Sequence, residues 1–302
     1  MSREHELTKL AQQWEELTIA NDRMFSMVME NNVICRELLR RIFPELAIDR
    51  VQRVTVQKQV NTPLDARAVR FDVYIRDDQQ RTYIVEMQVA NRQNLQYRLR
   101  YYLEQVDHSI LGPGDNYEKL AGYPTYVIFF CDFDYYGQDR PEYRFEWRCV
   151  DQPNLTAGTG QQLVVFNAWA SAFHDKIGIE GFLKLMHNQI AEGDPLVEQI
   201  TGEMKRIKED PERRRNYMKY ELGLMDARSD GMAIGLAEGK KQGIQQGLEQ
   251  GKQQSIIAAA KMLLGLKLSH TVIVKQLMSA YDLSSDEAER YLKQAGPRVV
   301  CY

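Results

Sequence analysis

Two short runs of alternating apolar and polar residues constrain the fold of this chain more than any other feature. The first run is Phe71–Ile75 and the second is Tyr83–Val89, with the polar segment Asp77–Gln80 between them. Alternation with a period of two is typical of β-strands, and a polar segment between two such runs predicts a hairpin. Asp72 lies in the first predicted strand and Glu86 in the second, so each arm of the hairpin carries a carboxylate.

The positions of these two carboxylates predict the length of the hairpin connection. A two-residue turn at Asp78 and Gln79 pairs Asp72 with Val85 and directs Glu86 to the opposite face of the sheet. A connection of three or five residues instead pairs Asp72 with Glu86, and both side chains then lie on one face. Charged groups among apolar neighbours need a partner or a function, so we expect an odd-length connection.

The arrangement Asp72, polar turn, Glu86-x-Gln88 resembles the bipartite motif of the PD-(D/E)XK nucleases, in the variant that has Gln in place of Lys. Further segments are similar, in the same order, to the Rpn family of recombination-promoting nucleases and transposase-like proteins. Each motif is weak by itself, but the ordered set is specific and covers nearly the whole chain. The segments are Asn21–Phe25, Val69–Val73, Ile84–Gln88, Arg98–Tyr102, Asp107, Asn116–Leu120, Tyr126–Phe133 and Arg214–Met218.

The resemblance implies an α/β fold with a PD-(D/E)XK restriction-endonuclease-like core, in which helices flank a mixed central sheet, followed by a mostly helical C-terminal extension. The sequence patterns predict the order helix, three strands, helix and strand, which agrees with a mixed α/β core. We expect the core over residues 1–175, a helical brace over 176–228, a glycine-repeat linker or assembly helix over 229–252, and a small helical unit over 253–302.

The individual elements follow from apolar periodicity and from turn residues. Helical segments are predicted over 5–43, with a second helix starting at Asn21-Asp22, and over Gln93–Leu111. Strands are predicted at Val51–Val60, Ala68–Arg76, Arg81–Ala90, Tyr126–Phe133, Arg144–Cys149 and Leu163–Trp169, and C-terminal helices at Ser255–Leu266, Ser269–Ala280 and Ser284–Gln294.

The resemblance also implies a metal-dependent DNA endonuclease that hydrolyses phosphodiester bonds in recombination or mobile-element biology. Asp72, Glu86 and Gln88 are then the catalytic residues. Hard cations prefer oxygen ligands, so Asp72 and Glu86 are expected to hold Mg²⁺, with Mn²⁺ as a substitute. The resemblance implies that the backbone carbonyl of Met87 completes the site. Asp22 is an additional candidate metal ligand, and its alternative role is that of a helix N-terminal residue favoured by the helix dipole.

Gln88 stands where the wider superfamily has Lys. A neutral amide can orient a water molecule, but it contributes no full charge. Two alternatives to fast catalysis therefore stay open. One is a catalytically weak protein that uses the nuclease fold to bind DNA, and the other is a self-assembling interaction protein. For Gln88 itself, the alternative to a catalytic role is that of a buried strand residue whose hydrogen bonds are satisfied.

The charge distribution requires any DNA-binding face to be local. The chain has a net charge of −3, and its first 225 residues hold 29 Lys and Arg against 34 Asp and Glu. Phosphate binding generally needs a basic surface. Arginines do surround the hairpin, at Arg67, Arg70, Arg92, Arg98 and Arg100. The candidates for DNA contact are Arg70, Arg98, Arg100 and Tyr102, and a solvated charged surface is the alternative for each arginine.

The sequence lacks the features of several classes of protein and binding site. No apolar run has the length of a membrane span and the start has no signal-peptide hydrophobic region, so we expect a cytoplasmic protein without a membrane partner. The four cysteines have no metal-ligand spacing and are expected to be reduced thiols. No phosphate-binding glycine loop is found in a strand-to-helix context.

Six glycines recur every four residues from Gly231 to Gly251. Each costs about 1 kcal/mol relative to Ala within a helix, and together they cost roughly 6 kcal/mol, which disfavours an isolated, fully formed helix. Two interpretations remain. The segment is a flexible tether, or it is a closely packed helix that joins two protomers into a homo-oligomer.

Overall fold

The computed structural model describes residues 3–60, 69–173, 178–266 and 268–296. Arg67, one of the arginines placed near the hairpin by sequence, lies outside the described residues. The chain divides into two compact units, residues 1–219 and residues 220–302. No helix in the described ranges combines the length and apolar character that crossing a membrane requires.

The first unit is built on a six-stranded mixed sheet with the strand order β1-β2-β3-β4-β6-β5. The β1, β2 and β3 strands are antiparallel, the β3, β4 and β6 strands are parallel, and β5 pairs antiparallel with β6. The strands are β1 (Val51–Val60), β2 (Val69–Asp77), β3 (Thr82–Gln88), β4 (Thr125–Cys131), β5 (Glu142–Glu146) and β6 (Gln161–Asn167).

Helices cover both faces of this sheet. One face packs against the single helix α4, through residues such as Ile84 and Phe129, and the other packs against the N-terminal helices, α5 and α6, through residues such as Val85 and Phe130. The helices are α1 (Arg3–Glu16), α2 (Asp22–Met29), α3 (Asn32–Ile42), α4 (Leu95–Ile110), α5 (Glu180–Met186), α6 (Pro195–Glu209), α7 (Pro211–Gly265), α8 (His270–Tyr281) and α9 (Ser285–Ala295), with a 3-10 helix at Tyr117–Gly122. The predicted α/β class, with a mixed sheet, flanking helices and a helical C-terminal extension, is confirmed.

The β2–β3 hairpin has the predicted odd-length connection. Its backbone pairing closes with the N–H of Asp77 donating to the carbonyl of Arg81 at 3.2 Å, which leaves three connecting residues. The last of them, Gln80, has a φ of 61°, which is typical of three-residue hairpin loops. The pairing Val73↔Val85 then places Asp72 and Glu86 opposite each other, one residue beyond the end of the regular ladder.

A fully buried carboxylate holds this connection together. One oxygen of Asp77 accepts hydrogen bonds from the backbone N–H groups of Gln79 and Arg81, both at 2.9 Å. The other oxygen accepts from the Arg81 guanidinium at 2.5 Å and from the Tyr83 hydroxyl at 3.0 Å. The Asp77 side chain is 0% exposed, so its charge is balanced inside the protein by these donors.

The structure differs from the sequence predictions at the N-terminal helices. The single helix predicted after Asn21 is two helices, because the Asn31 side chain accepts from the N–H groups of Val33 and Ile34 and begins α3. Asn favours this capping position over a helix interior. The predicted division into four segments at residues 175, 228 and 252 stays a prediction.

In the second unit, the glycine repeat lies within the continuous helix α7, in contrast to the expectation that six glycines disfavour a full helix. The residues between the glycines are good helix formers, including Leu, Ala, Glu, Lys and Gln. No other part of the described chain approaches within 4 Å of a Cβ placed at these glycines. The end of α7 packs with α8 and α9 around residues such as Ile256, Leu277 and Leu292, and the predicted Ser284 cap of α9 forms a capping box with Glu287.

We predict that Asp77→Ala lowers the free energy of unfolding by about 3–5 kcal/mol, because Arg81 is left buried without its counter-ion. Urea denaturation of the full chain measures this. Asp115→Ala is the matched control, since Asp115 also pairs with a cation four residues away, Lys119, but at an exposed site. The control should lose no more than about 1 kcal/mol. Equal losses in both variants would contradict a structural role for Asp77.

Candidate active site

A cleft of about 1200 Å³ opens where the hairpin, α2 and α4 meet. It is lined by both hairpin carboxylates and by residues of the loop that follows β3. The sequence-predicted residues Asp22, Arg70, Asp72, Glu86, Met87, Gln88, Arg98, Arg100 and Tyr102 all line it. The tertiary structure therefore brings the complete predicted set into one cleft.

The hairpin strands are linked at the cleft by their carboxylates rather than by the regular ladder. The backbone N–H of Asp72 donates to Oε1 of Glu86 at 3.0 Å, and the N–H of Met87 donates to Oδ2 of Asp72 at 3.2 Å. Each carboxylate thus accepts a hydrogen bond from the backbone of the opposite strand. This exchange holds the two acidic side chains beside each other.

Two residues of α4, Arg98 and Tyr102, complete the environment of Glu86. They are one helical turn apart and therefore share a face of α4. The Arg98 guanidinium lies 2.7 Å from Oε2 of Glu86 and donates to the Tyr102 hydroxyl at 2.6 Å. The Tyr102 hydroxyl donates to the same Oε2 at 3.3 Å. In the structure both residues bind Glu86, and their predicted contact with DNA stays a prediction.

Gln88 extends the same network towards the end of β3. Its amide oxygen accepts a hydrogen bond from Arg98, and its amide nitrogen donates to the carbonyl of Met87 at 2.8 Å. The amide is thus held by partners on both sides. Gln88 is only partly buried, so it lines the cleft with its hydrogen bonds already formed.

Burial dominates the acid–base properties of the pair. Burial, reinforced by repulsion from Asp72, raises the pKa of Glu86 to about 8, although Arg98 opposes the shift. Burial also raises the pKa of Asp72 to about 6, with the N–H of Met87 opposing the shift and the charge of Asp22 adding to it. Both carboxylates are costly to ionise, because they are desolvated and repel each other. A cation placed between them stabilises their ionised forms.

The remaining predicted residues lie around this centre. Asp22 is exposed in the first turn of α2, where its Oδ1 accepts from the N–H of Arg23 at 2.8 Å. Both interpretations of Asp22 therefore stay open. Arg70 and Arg100 are exposed on the cleft wall. Asp107 accepts a hydrogen bond from Gln161 at 2.8 Å and does not line the cleft.

The cleft contains a further acidic residue, Asp132, which the sequence patterns did not predict as a site residue. It follows β4 directly, and its backbone N–H donates to the carbonyl of Gln88 at 2.8 Å, because β3 and β4 are parallel and end at the same level. Its Oδ1 is buried without a hydrogen-bond partner among the residues that the structure describes, and it lies 3.5 Å from Nε2 of His187. A polar residue directly after a buried apolar strand was the signal that could have identified it.

The donor set fits a hard divalent cation. Asp72, Glu86 and the Met87 carbonyl offer only oxygen atoms, as Mg²⁺ prefers, and one or two carboxylates with substrate phosphate suffice for that ion. Within the described residues, no group of three His, Cys, Asp or Glu side chains is placed to hold a metal.

A mixed sheet whose hairpin presents Asp72 and Glu86-x-Gln88 to an arginine-lined cleft defines a nuclease-like domain. Residues 20–154 match the family model of the PD-(D/E)XK nuclease family transposases. The match begins just before α2, ends after β5 and agrees with the resemblance to the Rpn family. Comparisons with curated proteins and with solved structures gave no match.

The raised pKa values predict a pH-dependent stability. The ordinary pKa values of Asp72 and Glu86 are 3.8 and 4.5, and the folded-state values are higher. The folded state therefore binds more protons between these limits, and its stability falls as pH rises from about 4 to about 8. Between about pH 5 and pH 8.5 we expect the Tm of Glu86→Gln to fall by less than the Tm of wild type. The two decreases should differ by at least about 2–4 °C.

Glu104→Gln is the matched control, because Glu104 lines the same cleft but is exposed. Its melting temperature should follow that of wild type across the pH range. Scanning calorimetry in the presence of EDTA measures all three proteins. An identical dependence of Tm on pH in Glu86→Gln and wild type would show that burial does not raise the pKa of Glu86.

Proposed function

We propose that this protein is a metal-dependent DNA endonuclease that hydrolyses phosphodiester bonds with the help of Mg²⁺ or Mn²⁺. The observation that carries the proposal is the placement of two carboxylates, the half-buried Asp72 and the buried Glu86, opposite each other at the end of a hairpin, beside Gln88 in one cleft. The match of residues 20–154 to a nuclease family model supports the same chemistry.

Each residue has a defined task in this proposal. Asp72, Glu86 and the carbonyl of Met87 hold the cation, with Asp22 as an additional candidate ligand. The cation, when bound, neutralises phosphate charge and makes a water molecule nucleophilic near neutral pH. Gln88 orients that water through its amide. Arg98 and Tyr102 are positioning residues, because they fix the direction of the Glu86 carboxylate.

DNA is the proposed substrate, and the cleft wall provides the cations to bind it. Arg70, Arg92 and Arg100 are exposed and line the cleft, so they can contact phosphates although the chain as a whole is acidic. A cytoplasmic setting in recombination or mobile-element biology belongs to the proposal. So does self-association through the C-terminal region.

One observation favours a second candidate function, DNA binding with little turnover. The Arg98 guanidinium already pairs with Glu86 and with the Gln88 amide oxygen. A protein that balances its glutamate with an internal arginine depends less on a metal ion for stability. The variants below distinguish this candidate from the endonuclease, since a binding protein retains DNA affinity and shows no cleavage.

We predict that Asp72→Asn and Glu86→Gln each reduce Mg²⁺-dependent plasmid nicking by at least about 100-fold, because each removes a charged oxygen ligand. Gel assays under single-turnover conditions measure the rate. Asp107→Asn is the control, since Asp107 lies outside the cleft and should keep near wild-type nicking. Nicking that persists in either site variant would refute the assignment of the carboxylates.

Gln88→Lys tests whether the amide stands in for the lysine of the wider superfamily. Lysine cannot accept a hydrogen bond from Arg98 and brings a second positive charge next to it. We therefore expect at least about a tenfold loss of single-turnover rate in Gln88→Lys. In an Arg98→Met background, which lacks both the like charge and the positioning contact to Glu86, the change Gln88→Lys should lower the rate by a smaller factor than it does in wild type.

Gln88→Ala provides the comparison for this pair of variants. It should lower the rate without changing the Mn²⁺ concentration needed for half-maximal activity, because the amide orients water and does not bind the metal. A Gln88→Lys rate equal to wild type would mean that Arg98 does not constrain this position.

A further inference from the structure

An exposed tryptophan lies next to the candidate active site and has no role in the chemistry proposed above. Trp169 is 64% exposed and follows strand β6. Its ring contacts the imidazole of His187, with ring centroids 4.3 Å apart and an interplanar angle of 58°. An aromatic ring that is fixed on one side and open on the other can receive another ring.

The position of this pair is set by the parallel strands. Gln88, Cys131 and Asn167 pair in register across β3, β4 and β6, so the three strands end at the same edge of the sheet. Neighbouring strands lie about 4.8 Å apart, which places the end of β6 about 10 Å from the end of β3. Trp169 is therefore close to the edge that carries Gln88.

The tryptophan–histidine pair does not line the cleft itself but lies beside residues that do. Asp132 and Met186 line the cleft, and His187 follows Met186 directly and lies 3.5 Å from Oδ1 of Asp132. On the opposite wall, the exposed Tyr97 lines the cleft together with arginines of α4 and the hairpin. A basic groove with aromatic rings along it is typical of sites that bind single-stranded nucleic acid.

The loop that carries Trp169 is held at several points. The N–H of Ala168 donates to the carbonyl of Cys131 at 3.0 Å, and the N–H of Trp169 donates to the Asn167 side chain at 2.9 Å. The N–H of Ser171 donates to the carboxylate of Asp139 at 2.8 Å. A ring on a restrained loop loses little freedom when it binds a ligand, which favours binding.

We propose that Trp169, supported by His187, is a stacking site for an unpaired nucleobase of the DNA strand that occupies the cleft. The choice of DNA rests on the proposed function. The geometry points to a substrate with at least one unpaired base beyond the phosphate held at Asp72 and Glu86. Base stacking needs no particular base, so this site adds affinity for single strands without sequence preference.

The test measures binding without cleavage. Fluorescence anisotropy in EDTA follows the full chain binding to a labelled oligothymidylate of about 12 nucleotides and to a blunt duplex of the same length. Trp169→Ala should weaken single-strand binding by roughly 5- to 100-fold, the range that stacking of one base supports, and leave duplex binding within about twofold. Trp169→Phe should retain most of the affinity, because phenylalanine also stacks.

Trp147→Ala is the matched control, since Trp147 is 62% exposed and follows β5, whose antiparallel pairing with β6 puts it at the opposite edge of the sheet from Trp169. It should change neither affinity. Unchanged single-strand binding in Trp169→Ala, equal losses for strand and duplex, or an equal loss in Trp147→Ala would overturn the proposal. Failure of the wild-type protein to bind either probe would also overturn the proposal. So would a Trp169→Ala variant with a changed mass in light scattering and unchanged DNA binding, because that result indicates that Trp169 forms a protein contact.

These outcomes are separable from failure of the endonuclease proposal. If Trp169→Ala weakens single-strand binding but wild type nicks no plasmid with Mg²⁺ or Mn²⁺, the endonuclease proposal fails and the stacking site stands. If wild type nicks plasmid and Trp169→Ala binds single strands normally, the stacking site alone fails.

Discussion

The buried carboxylate of Asp77 is the interaction on which the site depends. It binds two backbone N–H groups, the Arg81 guanidinium and the Tyr83 hydroxyl, and so holds a connection of three residues. An odd number of connecting residues puts Asp72 and Glu86 on one face, whereas a shift of one residue would move them to opposite faces. The active-site geometry is therefore decided at the far end of the hairpin, away from the cleft.

The hairpin holds two acids where both are costly to ionise. Asp72 and Glu86 are held side by side, because each accepts a hydrogen bond from the backbone of the other strand. Arg98 offsets part of this cost from α4, and a divalent cation would offset more. The structure thus places the two carboxylates that are costly to ionise where a bound cation can compensate their charge, which is common at functional sites.

The cleft also reconciles an acidic chain with a nucleic-acid ligand. The net charge of −3 is an average over the chain, while binding depends on the field within about 8–10 Å of the ligand at physiological salt. Exposed arginines on the hairpin, the following loop and α4 line the cleft. Exposed aromatic rings lie beside them, so phosphate and base can be recognised by different parts of one surface.

Local patterns in the sequence determined the hairpin, its odd-length connection, the buried strand β4, the helix after Glu86 and the C-terminal helices, because alternation, helical periodicity and turn residues act between near neighbours. The tertiary structure alone decided that Arg98 and Tyr102 bind Glu86 rather than project outward, and that Asp132 and Trp169 lie at the edge of the sheet that carries Gln88. These placements depend on the order in which β3, β4 and β6 pair. Strand order is set by how the whole core packs, and residues distant in sequence carry no local signal of it.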